Sequence, residues 1–108
     1  MASGLYGKTF LNSLNNSHAL DLDNDTIKIM LVTSSYSPDF GAHDFKDDVT
    51  NEVSGTGYTA GGNTLGSVTL TQTGGTIKFD AADTSWSSST ITSARGAVIY
   101  DDTVASDP

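Results

Sequence analysis

The densest run of chemistry-bearing residues is Asp21-Leu-Asp-Asn-Asp25, with carboxylates at alternate positions. Hard oxygens at that spacing can wrap a calcium ion. The rest of a calcium loop is missing, because Thr26 stands where the loop needs glycine and Val32 where a bidentate glutamate would close it. The run reads first as a solvated turn before a strand. Asp21, Asp23 and Asp25 remain a weak calcium candidate that distant loops would have to complete. Gly55-Thr-Gly57-Tyr-Thr-Ala60 matches G-x-G-x-x-A by letter. A dinucleotide fingerprint must leave a strand and open a helix, and Gly61-Gly62-Asn63 would stop that helix at once. His18 and His43 are the only histidines, and neither H-x-x-x-H nor H-E-x-x-H occurs. No G-x-S-x-G elbow supports a serine nucleophile. The neighbouring carboxylates Asp47-Asp48 and Asp101-Asp102 point apart on a strand or repel into water on a loop, so neither pair makes an acid–base couple. The residues indicate no catalysis and no cofactor.

Composition narrows the field further. The chain has 108 residues, enough for one domain spanning 1–108. Serine contributes 14 residues and threonine 15, whereas Leu, Ile, Val and Phe together give only 23. The core must be thin. The absence of cysteine removes disulfides and thiolate metal sites. A net charge of −8 repels phosphate backbones and anionic lipid, which argues against nucleic-acid or membrane-surface partners. The N-terminus lacks the apolar run of a signal peptide, and no window approaches a membrane span. The expectation is a soluble chain made in a cytoplasm.

Leu5, Tyr6, Phe10, Leu11 and Leu14 recur at steps of three and four, which predicts a helix over about 4–15 with an apolar stripe. Ser3 is its candidate N-cap and Asn15-Asn16 its stop. So short a helix must dock, first on its own domain's sheet and alternatively on a neighbouring subunit. Residues 26–33 form the clearest strand, with apolar groups on both faces. A helical turn is expected near His43–Asp48, and the glycine-rich stretch 53–63 reads as an irregular loop. Residues 66–73 and 76–80 flank Gly74-Gly75 as a hairpin with a type I′ turn. The register then pairs Leu70 with Phe79 and Gln72 with Ile77, giving one apolar face and one polar face. Thr90–Thr92 is a candidate short strand, 94–100 a convincing one, and 101–108 a polar tail. The sum is a mainly β fold, a small antiparallel β-sandwich or partly open barrel with one short N-terminal helix.

Among the large aromatics, Trp86 and Tyr100 read as core fillers, with Tyr36 and Tyr58 lying over loops. An exposed aromatic cluster would instead meet a sugar or a protein partner. Candidate contact residues are Leu5, Tyr6, Phe10, Tyr58, Trp86 and Tyr100. Gly4-Leu5-Tyr6, Asp25-Thr26-Ile27-Lys28, Leu31–Tyr36, His43-Asp44-Phe45, Asn51–Gly62 and Ala94–Tyr100 occur in one order along most of the chain. Together they make it resemble a family of small virion structural proteins encoded among the head and tail genes of tailed bacteriophages. That resemblance implies a non-enzymatic protein assembled in the host cytoplasm into the virion. Its partners would be the major capsid protein or neighbouring virion proteins, in a homo-oligomer or symmetric array. The first reading is a capsid decoration, or cement, protein; the second is a tail, baseplate or fibre-associated protein. A carbohydrate- or calcium-binding module is the reading from another class. Relatives usually continue beyond the strand at 94–100 into further β-structure, so a partner chain could complete the sheet along that edge.

Overall fold

The computed structural model describes residues 3–108. Its elements are α1 (Gly7–Leu14), β1 (Ile27–Val32), a 3₁₀ turn (Lys46–Asp48), β2 (Asn63–Thr64), β3 (Thr69–Thr73), β4 (Thr76–Asp80) and β5 (Gly96–Asp101). The fold is β-rich with one short helix. β2, β1 and β5 form an antiparallel sheet in that order, and β3 and β4 form a separate antiparallel hairpin.

β1 is the centre of the sheet because its β-branched and aliphatic residues suit a pleated surface covered on both faces. Ile27 is buried on one face, and Met30 and Val32 on the other. Met30, Val32, Tyr36, Val98 and Tyr100 make the core, with Tyr6 and Val49 packed against it. Each fully buried aliphatic side chain contributes about 1.5–3 kcal/mol, so a few residues carry much of the stability. Tyr36 does not lie over a loop as expected but is a core residue. Its hydroxyl hydrogen-bonds that of Tyr6 at 2.8 Å and His43 Nδ1 at 2.9 Å. Partners for its polar end make burial of the ring affordable.

The helix begins later than the sequence suggests, and Ser3 does not cap it. Tyr6 occupies the N-cap position with no side-chain cap. Instead, the Gly7 N–H donates to the Phe40 carbonyl at 2.8 Å, so a distant loop satisfies one of the donors left open at a helix start. At the other end Asn15 caps the helix and Asn16 turns left-handed at φ 61°, as its position as a stop requires. The apolar stripe does not dock on the sheet. Leu5, Phe10, Leu11 and Leu14 are all exposed, and only Tyr6 from that stripe reaches the core.

The hairpin register is as the turn arithmetic predicts, with Leu70 opposite Phe79 and Gln72 opposite Ile77. Two details differ. Only Gly74 has positive φ, at 58°, the pattern of a II′ turn with glycine at its first central position rather than I′. The apolar face is also not covered, since every residue of β3 is exposed and only Phe79 of β4 is half-buried. Thr90–Thr92 forms no strand, because its pairing is limited to one bridge between Thr90 and Thr56. The tail folds back on the sheet, the Asp101 N–H donating to the Pro108 carbonyl and the Lys46 N–H to that of Asp107.

Candidate interaction surface

The six contact candidates separate into two groups. Leu5 and Phe10 stand in solvent, 67% and 58% exposed. Tyr6, Tyr58 and Trp86 are half-buried, and Tyr100 belongs to the core. The Tyr100 hydroxyl donates to the Gly61 carbonyl at 2.6 Å. Burial first, and then the nearby charges of Asp102, Asp107 and Glu52, push its phenol up to about 12. A group so placed is structural and not available to a partner.

Tyr58 is held by a network that the sequence did not reveal. Its hydroxyl donates to Glu52 Oε2 at 2.5 Å and accepts from the Leu31 N–H at 3.1 Å. Glu52 also accepts from the Gly61 N–H at 2.7 Å. Burial and then the Glu52 hydrogen bond push the Tyr58 phenol up to about 12. The single glutamate of the chain thus ties the glycine loop to β1. Trp86 packs on Tyr58 with ring centroids 6.0 Å apart. Its indole N–H is buried with no partner among the described residues.

The apolar surface lies elsewhere. Besides Leu5 and Phe10 it comprises Leu11 and Leu14 on α1, Leu70 and Ile77 on the hairpin, and Ile99 on β5, with Ile77 72% exposed. A groove of about 560 Å³ runs beside these elements, with Leu5, Tyr6, Phe40, Val98, Ile99 and Phe79 in its lining. β5 is an edge strand. Asp102 donates to the Thr26 carbonyl across the ladder, and Ile27 and Leu31 accept from the β2 side. Hydrogen-bonded pairs alternate in an antiparallel ladder, so the N–H and C=O groups of Ala97 and Ile99 point away from β1, toward the open edge. Exposed aliphatic side chains beside open backbone groups can accept an apolar, extended or helical partner.

The acidic candidates carry less. Asp21 and Asp23 share the Asn24 side-chain amide in a local turn, and Asp25 accepts from the Asp21 N–H. The side-chain hydrogen bond to Asp21 raises the Asp23 carboxyl above its ordinary range. Among the described residues no group of three or more His, Cys, Asp or Glu side chains is placed to hold a metal ion. The glycines of the dinucleotide-like match serve close packing. Gly55 and Gly57, at φ 151° and 80°, lie against Thr90 and Ser89. His18 meets the edge of Phe45 at 5.0 Å, and His43 stacks on Tyr36. Asp48 accepts the Asp44 and Phe45 N–H groups, which hold its carboxyl below the usual range. Comparison with protein-family models, with curated proteins and with solved structures finds no match.

Proposed function

We propose that this chain is a non-enzymatic structural protein of a phage virion, a decoration protein bound to the outside of the major capsid shell. The observation that carries the reading is the apolar surface of Leu5 and of Phe10, Leu11 and Leu14 on α1, exposed in a chain whose core is already thin. A short helix with its apolar face in water is poorly stable alone, and it gains a reason to exist when a larger surface covers that face. The resemblance of its ordered segments to small virion structural proteins supports a capsid surface as that cover. The charge of −8 suits an outward face that repels packaged nucleic acid. A tail-associated role would use Tyr58 and Trp86 as exposed contact groups, and both are half-buried, Tyr58 bonded to Glu52 and Trp86 packed on Tyr58.

Replacing both Leu5 and Phe10 with serine tests the reading. These side chains are exposed, so the thermal midpoint of the free protein is expected to change little, as for other surface substitutions. Binding to undecorated heads is expected to weaken about a hundredfold, since two such side chains each contribute at least about 1.5 kcal/mol when covered. Sedimentation of labelled protein with heads reads the loss. Unchanged binding would remove α1 from the interface. Quantitative gels and antibody-gold microscopy of purified particles give the location. Dense labelling over the head supports decoration, label confined to the tail moves the protein there, and absence from particles sinks both.

A further inference from the structure

Every residue from Arg95 to Asp101 lines the groove beside β5. Side chains of a strand alternate between its two faces, so a wall made of consecutive residues is the strand's backbone edge. Tyr6 and Phe40 also line the groove, their ring centroids 5.3 Å apart, and Tyr6 packs on the core. Ala97, Ile99 and Asp101 turn their N–H groups toward this edge, because their neighbours bond to β1. The Asp101 N–H is taken by the Pro108 carbonyl at 2.8 Å, so backbone can seat there. Those of Ala97 and Ile99 have no such partner among the described residues. From Gly96 to Tyr100 the strand carries neither charge nor proline, two of the devices that keep a sheet edge unpaired.

We propose that β5 takes up an extended segment of a partner protein as a further strand, antiparallel to it, with the N-terminal end of that segment basic. Residues of the segment opposite Ala97 and Ile99 exchange both backbone hydrogen bonds with them. Ile99, 49% exposed, gives apolar side chains of the segment a neighbour on the same face. Main-chain bonds supply the affinity and the groove selects alternate side chains, as in other strand additions. The proposal uses none of the exposed residues of α1 and holds whether or not the chain sits on a capsid.

Charge selects the occupant and its direction. Arg95 lines one end of the groove and enters no ion pair among the described residues. Asp101 and Asp107 line the other end. There the ammonium of Lys46 lies over the Tyr100 ring, 5.1 Å from its centroid, and two carboxylates against one ammonium leave that end negative. The nearby charges Lys28 and Asp102 are already matched to each other at 3.4 Å. An antiparallel segment brings its N-terminal end to the carboxylates and its C-terminal end to Arg95. A second copy of this chain is the poorer occupant, because each copy carries a net charge of −8 and like charge keeps copies apart.

The probe is a synthetic peptide of about ten residues, alternating valine and threonine, with two lysines at its N-terminal end and a glutamate at its C-terminal end. A second peptide exchanges the lysines and the glutamate between the ends. Both are titrated into the full chain and followed by NMR. With the first peptide at about ten times its dissociation constant, amide exchange at Ala97 and Ile99 is expected to slow about tenfold. The exchanged peptide is expected to bind about tenfold more weakly. Ala97→Pro, a substitution that an edge strand tolerates, removes one donor and is expected to weaken the first peptide about tenfold. Should that variant not fold, the wild-type exchange pattern and the peptide pair decide. No binding, equal binding of the two peptides, or protection that misses Ala97 and Ile99 overturns the proposal. Sedimentation of the free chain is expected to show a monomer, and a dimer with Ala97 and Ile99 protected overturns it in favour of a second copy. None of these outcomes touches the head-binding test of Leu5 and Phe10, so the two readings fail separately.

Discussion

Gly62→Ala is expected to destabilise the protein by about 3–5 kcal/mol, the range reserved for severe backbone and core defects. Gly62 has φ 79°, a conformation that side chains other than glycine's rarely adopt. It also lies where β2 meets β1. A Cβ there would run into the Ile29 carbonyl and come within 2.8 Å of Met30 Cα. Both obstacles are backbone of the central strand, so no rotamer change relieves them. Relief requires β2 to lift away, breaking the Asn63 and Thr64 pairing and threatening the bond from the Leu65 N–H to the Ile27 carbonyl. Gly66→Ala is the control, because a Cβ at Gly66 meets nothing within 4 Å and no positive φ constrains it. It is expected to change stability by no more than about 0.5 kcal/mol. Urea denaturation of the three proteins measures both. A Gly62→Ala protein within about 1 kcal/mol of wild type would mean that β2 is not held against β1 as described.

Tyr36→Ala is the second large effect, at about 3–5 kcal/mol for removal of a buried aromatic ring. The ring is 3% exposed and packs with Met30, Val32, Val98 and Tyr100. Truncation leaves a cavity in a core with few residues available to close it. Tyr36→Phe separates the two parts of the loss. It keeps the ring but leaves the Tyr6 hydroxyl and His43 Nδ1 without their shared partner, at a cost of about 1–3 kcal/mol. Burial and the Tyr6 hydrogen bond both raise the Tyr36 phenol, so it remains a neutral donor throughout the folded range. Equal losses for Phe and Ala would place the energy in the hydroxyl network instead of the ring.

The contrast between these residues and the ones legible beforehand is physical. Positions whose structure depends on near neighbours were readable. The hairpin register follows from a two-residue glycine turn and a side-chain period of two, and Leu70 opposite Phe79 follows from nothing more. β1 and β5 declare themselves by runs of aliphatic residues, and the helix by its spacing of apolar residues. Tyr36 was not readable, because its neighbourhood of serines and Pro38 marks a turn, whereas its ring is drawn in by Tyr6, 30 residues before it, and by β5. Glu52 gave no signal as the anchor of Tyr58 and Gly61, since hydrogen bonds across a loop leave no periodicity. Asp101 stands at the polar end of a strand in sequence, yet it is buried, with its N–H bonded to the Pro108 carbonyl of the returning tail.

Local pattern by itself determined the β-rich class, the single short helix and the hairpin pairing, because local backbone preferences and the periods of 2 and 3.6 reside in consecutive residues. Which apolar faces are covered was decided only by the tertiary structure. The apolar spacing over 4–15 predicts a helix that docks on its own sheet or on a neighbouring subunit, and the hairpin alternation predicts one apolar face, yet Leu5, Phe10 and Ile77 stand in solvent. Hydrophobicity sets the drive to be covered but is non-directional, so the covering surface is fixed by where the chain's other elements lie. Here those elements enclose a small core around Tyr36, bury Ile27, Val53 and Leu65 outside it, and leave the apolar faces of α1 and the hairpin open.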